Sequence, residues 1–600
     1  MTQSHVEDIW PVSPLAEGLL FHAAFDSDGP DVYVGQRVLE VSGPLDVARL
    51  CASWQVLLDR HAVLRSCFRQ PAGSPPVQVI ARQVVLPWRA EDVSGRPDGD
   101  AARQAAELAA AERAQRFDLA SPPLLRLLLI KLNAERHQLV VTSHHILMDG
   151  WSMPVLLAEL AAVYAAGADG RGLPPVVSYR NYLAWAAAQD KESARQAWQA
   201  ELADAAEPTL VAPADPTRAA VLTDRVASEV GADLAAALRA VGQAHSLTVN
   251  TLIQGAWALV LARLAGRSDV VFGGTVAGRP AELAGVESMV GLFINTVPVR
   301  VRIDPARPVI ELLAELQARQ SALISAQHLG LAEIQKLAGP GAAFDTLLVY
   351  ENYPRPPARP RAPGDITISP AGTNEAAHYP LTVVVGAGER LRMHISYRPD
   401  LFDAGTAAGL LDRLTSVLRQ IATDPRVPAG RVQVTAEAEQ DLVLRQWNDT
   451  GQPVPAGPLP ALFAAQAART PEAPAVACGD EVISYAALQQ RSAQLAHHLA
   501  GTGAAPGARV AVMLDRSADL VTVLLAVMKT GAAYLPVDPG YPPERIAFML
   551  ADAAPAAVVC SAATMAAVPD GCPAPRVVID DSVVAAAVAG GPAEDPRPGP

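Results

Sequence analysis

The sequence predicts a mixed α/β protein: two lobes of alternating helix and strand, a linker, and a further α/β segment. Three observations predict it. Stretches of period two and period 3.6 alternate along the chain, with no long linker before residue 423. At 600 residues the chain exceeds what one hydrophobic core serves, so several structural units are expected. Prolines and glycines then gather between Pro425 and Pro460, the composition of a segment that joins such units.

The elements follow in order. Residues 32–41 alternate apolar and polar, a half-buried strand, while residues 46–58 and the Ala-rich 101–115 carry helical spacing. Two apolar runs, 124–132 and 137–143, are joined by Asn133-Ala-Glu-Arg136 and predict a hairpin. The pair His144-His145 stands where its second strand ends. Ser152, a favoured N-cap residue, opens a predicted helix over 153–166. Residues 175–430 repeat the style, with helices over 235–243 and 249–264 and strands over 269–275 and 296–303. A second lobe sharing a sheet with the first is the simplest expectation. The linker carries one amphipathic stretch, 439–447, and residues 461–600 then alternate helix and strand in βαβ fashion. The division expected is 1–175 and 176–430 for the lobes, 431–459 for the linker, and 460–600 for the last segment, whose Pro/Gly-rich end looks cut.

Composition excludes several classes of function. Half the residues are hydrophobic and 18% are charged, as in a soluble globular protein. The net charge is −14 and no Lys/Arg run tracks a phosphate backbone, so nucleic acid is not the expected partner. Five cysteines form no CxxC pair, which argues for a reducing compartment and against a structural zinc site. The N-terminus has no basic, apolar leader, and the longest apolar runs, each broken by a Lys, do not span a bilayer. A cytoplasmic enzyme with no membrane partner is the expectation.

The chemistry-bearing stretch is His144-His145-Ile-Leu-Met-Asp149-Gly150. An imidazole presented at a strand end exchanges protons near neutral pH. Asp149 can fold back onto the loop or pair with an Arg elsewhere, and Gly150 relieves the turn of a side chain. Three other readings stand beside acyl transfer. The histidines can be a strand end without function; His and Asp can ligate a metal, although no third and fourth ligands are evident; and a Ser-His-Asp hydrolase would need a GxSxG elbow, which is absent.

Residues 8–430 resemble the condensation domain of nonribosomal peptide synthetases, of the chloramphenicol acetyltransferase-like HHxxxDG acyltransferase superfamily. The resemblance is an ordered series. Trp10-Pro-Val-Ser-Pro-Leu-Ala-Glu-Gly-Leu-Leu-Phe-His22 is similar to the opening motif and Arg60-His-Ala-Val-Leu-Arg65-Ser-Cys-Phe68 to the second. His144 to Ser152, Tyr179 to Trp185, Gly291 to Arg300, His328 to Gln335 and Phe344 to Asn352 follow in order. The resemblance implies a two-lobed α/β fold and amide-bond formation between a carrier-bound donor thioester and a carrier-bound aminoacyl acceptor. It implies His145 as the catalytic residue, either as base or by positioning the amine, with His144 structural. Asp149 is then a scaffold paired with Arg65, Gly150 lines the substrate channel, and Asn295 and Trp151 support the site. No cofactor is expected on the condensation domain itself. The 4'-phosphopantetheine arrives on upstream and downstream peptidyl carrier domains. The opening motif and residues 344–352 resemble the class that takes a D-configured donor residue, with Ala16 where that class has Gln.

Residues 461–600 resemble the beginning of an adenylation domain, through Ile483-Ser-Tyr485-Ala-Ala-Leu488 and the run from Met528 to Arg545. The phosphate-gripping loop of that family is absent, so ATP and Mg are expected only for a complete adenylation domain, and Lys529 is expected to be a helix-end surface charge. Two rival functions remain: a catalytically silent condensation-like docking module, and a stand-alone acyltransferase using coenzyme A.

Overall fold

Alternation of side chains along strands decides how the first part of the chain is layered. The computed structural model describes residues 5–25, 29–71, 73–213, 215, 219–353, 366–454 and 456–596. It divides into two units, Met1–Trp447 and Asn448–Pro600, and the break falls inside the stretch read as linker.

In the first unit, the N-terminal lobe is built on a five-stranded sheet. Its order is Thr367–Asn374, Val34–Ser42, Arg136–His144, Leu125–Lys131 and Trp88–Asp92. The predicted hairpin is present, with Leu125 opposite Ser143 and Lys131 opposite His137. One face of this sheet, through Val38, Leu128, Ile130 and Val140, packs on Ala101, Ala105 and Ala109 of the helix Asp98–Arg113. The neighbouring residues in sequence, Leu39, Leu127, Leu129 and Val141, point the other way, into a core with Trp54, Leu57 and Leu58. These last three lie on the helix Val47–Arg60, whose Asp46 cap accepts the Arg49 N–H.

The C-terminal lobe has its own six-stranded sheet, in the order Asn295–Arg302, Asp269–Val276, Thr346–Glu351, Leu381–Gly386, Leu391–Tyr397 and Asp224–Val230. Leu381, Val383, Val385, Met393 and Ile395 pack against the helices Val249–Ala265 and Ala404–Thr423. Their alternates Thr382, Val384, His394 and Ser396 line a cleft. One face is therefore apolar on helices and the other open to the site.

The expectation of one sheet shared between lobes is corrected. Each lobe buries a sheet on helices of its own, and one strand crosses between them. Thr367–Asn374 leaves the C-terminal lobe and pairs antiparallel with Val34–Ser42, from Thr367 opposite Ser42 to Asn374 opposite Gln36. Its backbone groups fill the edge that Val34–Ser42 would otherwise leave unpaired. Val286, Met289, Val290, Leu292 and Phe293 also cross, into the N-terminal core. Tyr179, Tyr182 and Leu183 belong to that core as well, whereas Trp198 and Leu202 pack with Val297 and Ile334.

The second unit, described by itself, has a parallel sheet in the order Ala533–Pro536, Arg509–Met513, Ala557–Cys560 and Arg576–Val578. Helices Tyr485–Gly501 and Ala518–Lys529 begin on capping serines, Ser484 and Ser517. Lys529 is not a surface charge. Its ammonium lies 2.6 Å from Asp595 Oδ1 and donates to the Gln489 carbonyl at 3.2 Å, with the side chain fully buried. Burial pushes its pKa down, against the pull of Asp595. Among the described residues no single helix is long and apolar enough to cross a membrane.

Trp257, fully buried at the centre of Val249–Ala265, anchors the C-terminal core. Replacing it with Ala is expected to lower the unfolding free energy of the first unit by about 3–5 kcal/mol, measured by denaturant titration.

Candidate active site

The strand Arg136–His144 ends at the two histidines, and its period separates them. Ser143 is opposite Gly35 and His144 opposite Val34. The ladder continues one residue further, where the His145 N–H donates to the Tyr33 carbonyl at 2.9 Å. Tyr33 and Arg37 therefore share a face with His145, and all three line a cleft of about 2130 Å³. His144 points to the opposite side and is fully buried. Its Nδ1 accepts the Ile146 N–H at 3.1 Å, so the ring proton sits on Nε2, 3.2 Å from Asp31 Oδ2. Burial would raise the Asp31 pKa, but the close His144 ring and the Tyr33 N–H hold it below the ordinary value. His144 is thus a fixed internal strut, and His145 is the histidine offered to the cleft.

Asp149 does not pair with Arg65. Its carboxylate meets Arg279 at 3.2 Å, both side chains being almost wholly buried. It also accepts the Ser152 N–H at 3.0 Å and the Phe293 N–H at 3.2 Å. The Ser152 hydroxyl sits between Asp149 Oδ1 (2.8 Å) and the Gly291 carbonyl (3.0 Å). Ser152 is therefore not the helix cap that its residue type suggested. The helix starts on it, Ser152–Ala165, with Trp151 in the cap position and no side-chain cap. Arg279 in turn donates to the Met289 carbonyl at 3.0 Å and lies 3.8 Å from the centre of the Phe293 ring. With its oxygens taken up this way, Asp149 holds the His-His loop to the crossing segment 279–293 and is not a metal ligand. Arg65 instead pairs with Glu7 at 2.6 Å and donates to the Leu58 carbonyl at 3.2 Å. It ties the strand Val6–Pro11 to the end of the Val47–Arg60 helix.

The remaining sequence candidates fall at the cleft. A Cβ on Gly150 would lie 2.3 Å from Tyr353 Oη, so the position is small because a tyrosine covers it, not because the turn is left-handed. Trp151 lines the cleft and donates its indole N–H to the Glu287 carbonyl at 3.0 Å. Asn295 lines it too, and its amide donates to the carbonyls of Gln327 (2.9 Å) and Leu329 (2.7 Å). Asn295 therefore holds a backbone turn at the cleft wall, while starting the strand Asn295–Arg302.

Sequence reasoning missed the polar wall facing His145. Arg37 pairs with Glu375 at 2.7 Å; Tyr353 donates to Glu351 at 3.4 Å; and the Tyr33 hydroxyl bonds His378. Burial, aided by Glu375, pushes the Glu351 carboxyl up. Glu375 goes the other way: burial opposes its ionisation, but the charges of Arg37 and His145 hold it below the ordinary value. Burial and His22, stacked 4.2 Å away, press His378 down to about 3, so its ring is neutral at physiological pH. One signal was readable: a glycine inside a strand, Gly35, marks a close approach. A double-mutant cycle on stability is expected to give more than about 1 kcal/mol of coupling between Asp149 and Arg279, and under about 0.5 kcal/mol between Asp149 and Arg65.

Comparison with known proteins shows the family. The Condensation domain family model matches residues 6–444, and the AMP-binding enzyme model matches residues 463–597. Among curated relatives, two of the linear gramicidin synthase proteins of Brevibacillus parabrevis are 36% and 35% identical, over 91% and 93% of this chain. Tyrocidine synthase 2 of the same organism is 31% identical over 92%. The chain spans 7%, 11% and 16% of the lengths of those three proteins. In fold it is similar to a four-domain nonribosomal peptide synthetase bound to AMP and glycine (TM-score 0.76, 21% identity, 98% of this chain and 45% of that one). It is also similar to the first condensation domain of the calcium-dependent antibiotic synthetase with a substrate analogue (TM-score 0.60, 21% identity, 71% and 99%). The chain belongs to the condensation-domain family of the nonribosomal peptide synthetases, with the opening part of an AMP-binding enzyme following in the same polypeptide.

Proposed function

We propose that the first unit joins two carrier-bound substrates by an amide bond, and that His145 is its catalytic residue. The observation that carries this reading is the placement of His145. It is the member of the pair on the cleft face, and its Nδ1 has no hydrogen-bond partner among the described residues. The acceptor amine attacks the donor thioester carbonyl, the new C–N bond forms, and the C–S bond breaks. The amine's proton passes to His145 and from there to the departing thiolate of the phosphopantetheine arm, so the enzyme returns to its starting state. Asp149 and Arg279 hold the loop, Gly150 leaves room under Tyr353, and Asn295 fixes the facing wall. Charge balance requires no metal, and Asp149 is already committed to Arg279, Ser152 and Phe293.

The partners in this reading are peptidyl carrier domains upstream and downstream, bearing peptidyl or aminoacyl thioesters, in a cytoplasmic setting. The lobe division near residue 175 and the linker over 431–459 belong to the same proposal. ATP and Mg belong to a complete adenylation domain. The residues of the second unit do not offer a cation for a triphosphate at Lys529, the one lysine there, because it is buried against Asp595. No step here runs through ATP.

Single-turnover transfer between two loaded carriers tests the reading. His145→Ala is expected to slow it by roughly 10²–10⁴-fold. Unchanged transfer would leave the chain a silent docking module, and transfer from acyl-coenzyme A without carriers would make it a stand-alone acyltransferase. With matched donors, the D-configured terminal residue is expected to transfer at least about tenfold faster than its L epimer. Equal rates would remove that part of the proposal.

A further inference from the structure

We propose that Glu375, carried from the C-terminal lobe onto the cleft face of the N-terminal sheet, is a positioning residue that stabilises the protonated form of His145 during transfer. The inference rests on the reading of His145 as the residue that takes the amine's proton.

The strand register builds the arrangement. Gly35 stands opposite Ser143, between Tyr33 and Arg37 on the face that His145 shares. Having no side chain, Gly35 leaves a slot. The crossing strand Thr367–Asn374 ends opposite Gln36, and the next residue, Glu375, fills the slot: its Cγ lies 3.6 Å from where a Gly35 Cβ would be. Arg37, two residues along the same face, holds the carboxylate at 2.7 Å. Glu375 and His145 both line the cleft, and the positive charges of Arg37 and of a protonated His145 favour the ionised carboxylate.

A purely mechanical role is the competing account, since an Arg–Glu pair also clamps the crossing strand to its neighbour. Two features favour the electrostatic one. The clamp is already supplied by the backbone ladder from Thr367 to Asn374. Both members of the pair also line the cleft, and the Glu375 side chain is one-third accessible. The charged and titratable groups that line the cleft with His145 include Tyr33 and Arg37 from the N-terminal sheet, His22 and His378, Glu351 at the end of the strand Thr346–Glu351, Tyr353, Glu375, His394 from the strand Leu391–Tyr397 with Arg225 and Arg392, and Asp149 with its partner Arg279. Of these, Glu375 is the ionised carboxylate not committed to the loop itself, because burial pushes Glu351 toward its neutral form.

The two members of the pair act on His145 with opposite sign. Removing the carboxylate while keeping its shape, in Glu375→Gln, leaves the Arg37 charge uncompensated and disfavours the imidazolium. Removing the cation, in Arg37→Gln, leaves the carboxylate uncompensated and favours it. In single-turnover transfer as a function of pH, Glu375→Gln is expected to lower the plateau rate about tenfold and move the acidic limb down by about one pH unit. Arg37→Gln is expected to move the same limb up, and Glu375→Asp to restore most of the plateau. Unmoved limbs in both Gln variants, or a shift in the same direction, would overturn the proposal, as would a Glu375→Asp variant as slow as Glu375→Gln. If Glu375→Gln fails to fold by circular dichroism, the Arg37→Gln limb and the Glu375→Asp plateau decide alone. Wild-type transfer that does not depend on His145 would instead remove the reading on which the proposal rests.

Discussion

Successive side chains of a β-strand leave on opposite faces, and the site depends on that constraint acting at the last residues of one strand. The strand Arg136–His144 keeps its register with Val34–Ser42 up to His144, and the His145 N–H adds one more rung on Tyr33. Two adjacent histidines, alike in chemistry, are thereby given different surroundings. His144 is closed in beside Asp31 and held by the Ile146 N–H. His145 is turned to the cleft with Tyr33 and Arg37 beside it. A one-residue slip would exchange the two, so the register is as much a functional device as a structural one.

The cleft also needs two lobes, and the chain meets that need with segments that leave one lobe and finish in the other. Thr367–Asn374 completes the N-terminal sheet and delivers Glu375 and His378 to the cleft. The stretch from Arg279 to Phe293 enters the N-terminal core and neutralises Asp149 there. A buried ion pair of this kind costs desolvation that its Coulomb attraction offsets only with good geometry and further hydrogen bonds. Asp149 has those bonds, from Ser152 and the Phe293 N–H, and Arg279 has the Met289 carbonyl and the Phe293 ring. The loop bearing His145 is in this way held by residues far along the chain, which couples its position to the packing of both lobes.

What was legible in the sequence is what local period and local motif encode. The hairpin before the histidines, the helix 249–264, the strand 269–275 and the ordered motifs all reflect neighbours in sequence, and these elements are present. The partner of Asp149 was not legible. Arg65 stands in a motif and Arg279 does not, and only the tertiary path of residues 279–293 brings Arg279 to the carboxylate. Lys529 was misread for the same reason: a lysine at a helix end is ordinarily solvated, and Asp595, 66 residues away in sequence, buries it. The separate sheets were missed because alternation reveals a strand but not its neighbour. Gly35 is the instructive case. A glycine within a strand announces that something approaches closely, yet the sequence does not say that the visitor is Glu375.

The central claim is that strand alternation makes His145, and not His144, the working histidine of an acyl-transfer cleft. Stepwise acylation of the protein's histidines with diethyl pyrocarbonate, mapped by mass spectrometry and followed by carrier-to-carrier transfer, tests it most directly. His145 is expected to react while His144 stays protected, with transfer lost in proportion to His145 modification and His145 shielded when loaded carriers occupy the cleft. Full modification of His145 with transfer intact, or loss that follows His144 instead, would contradict the account.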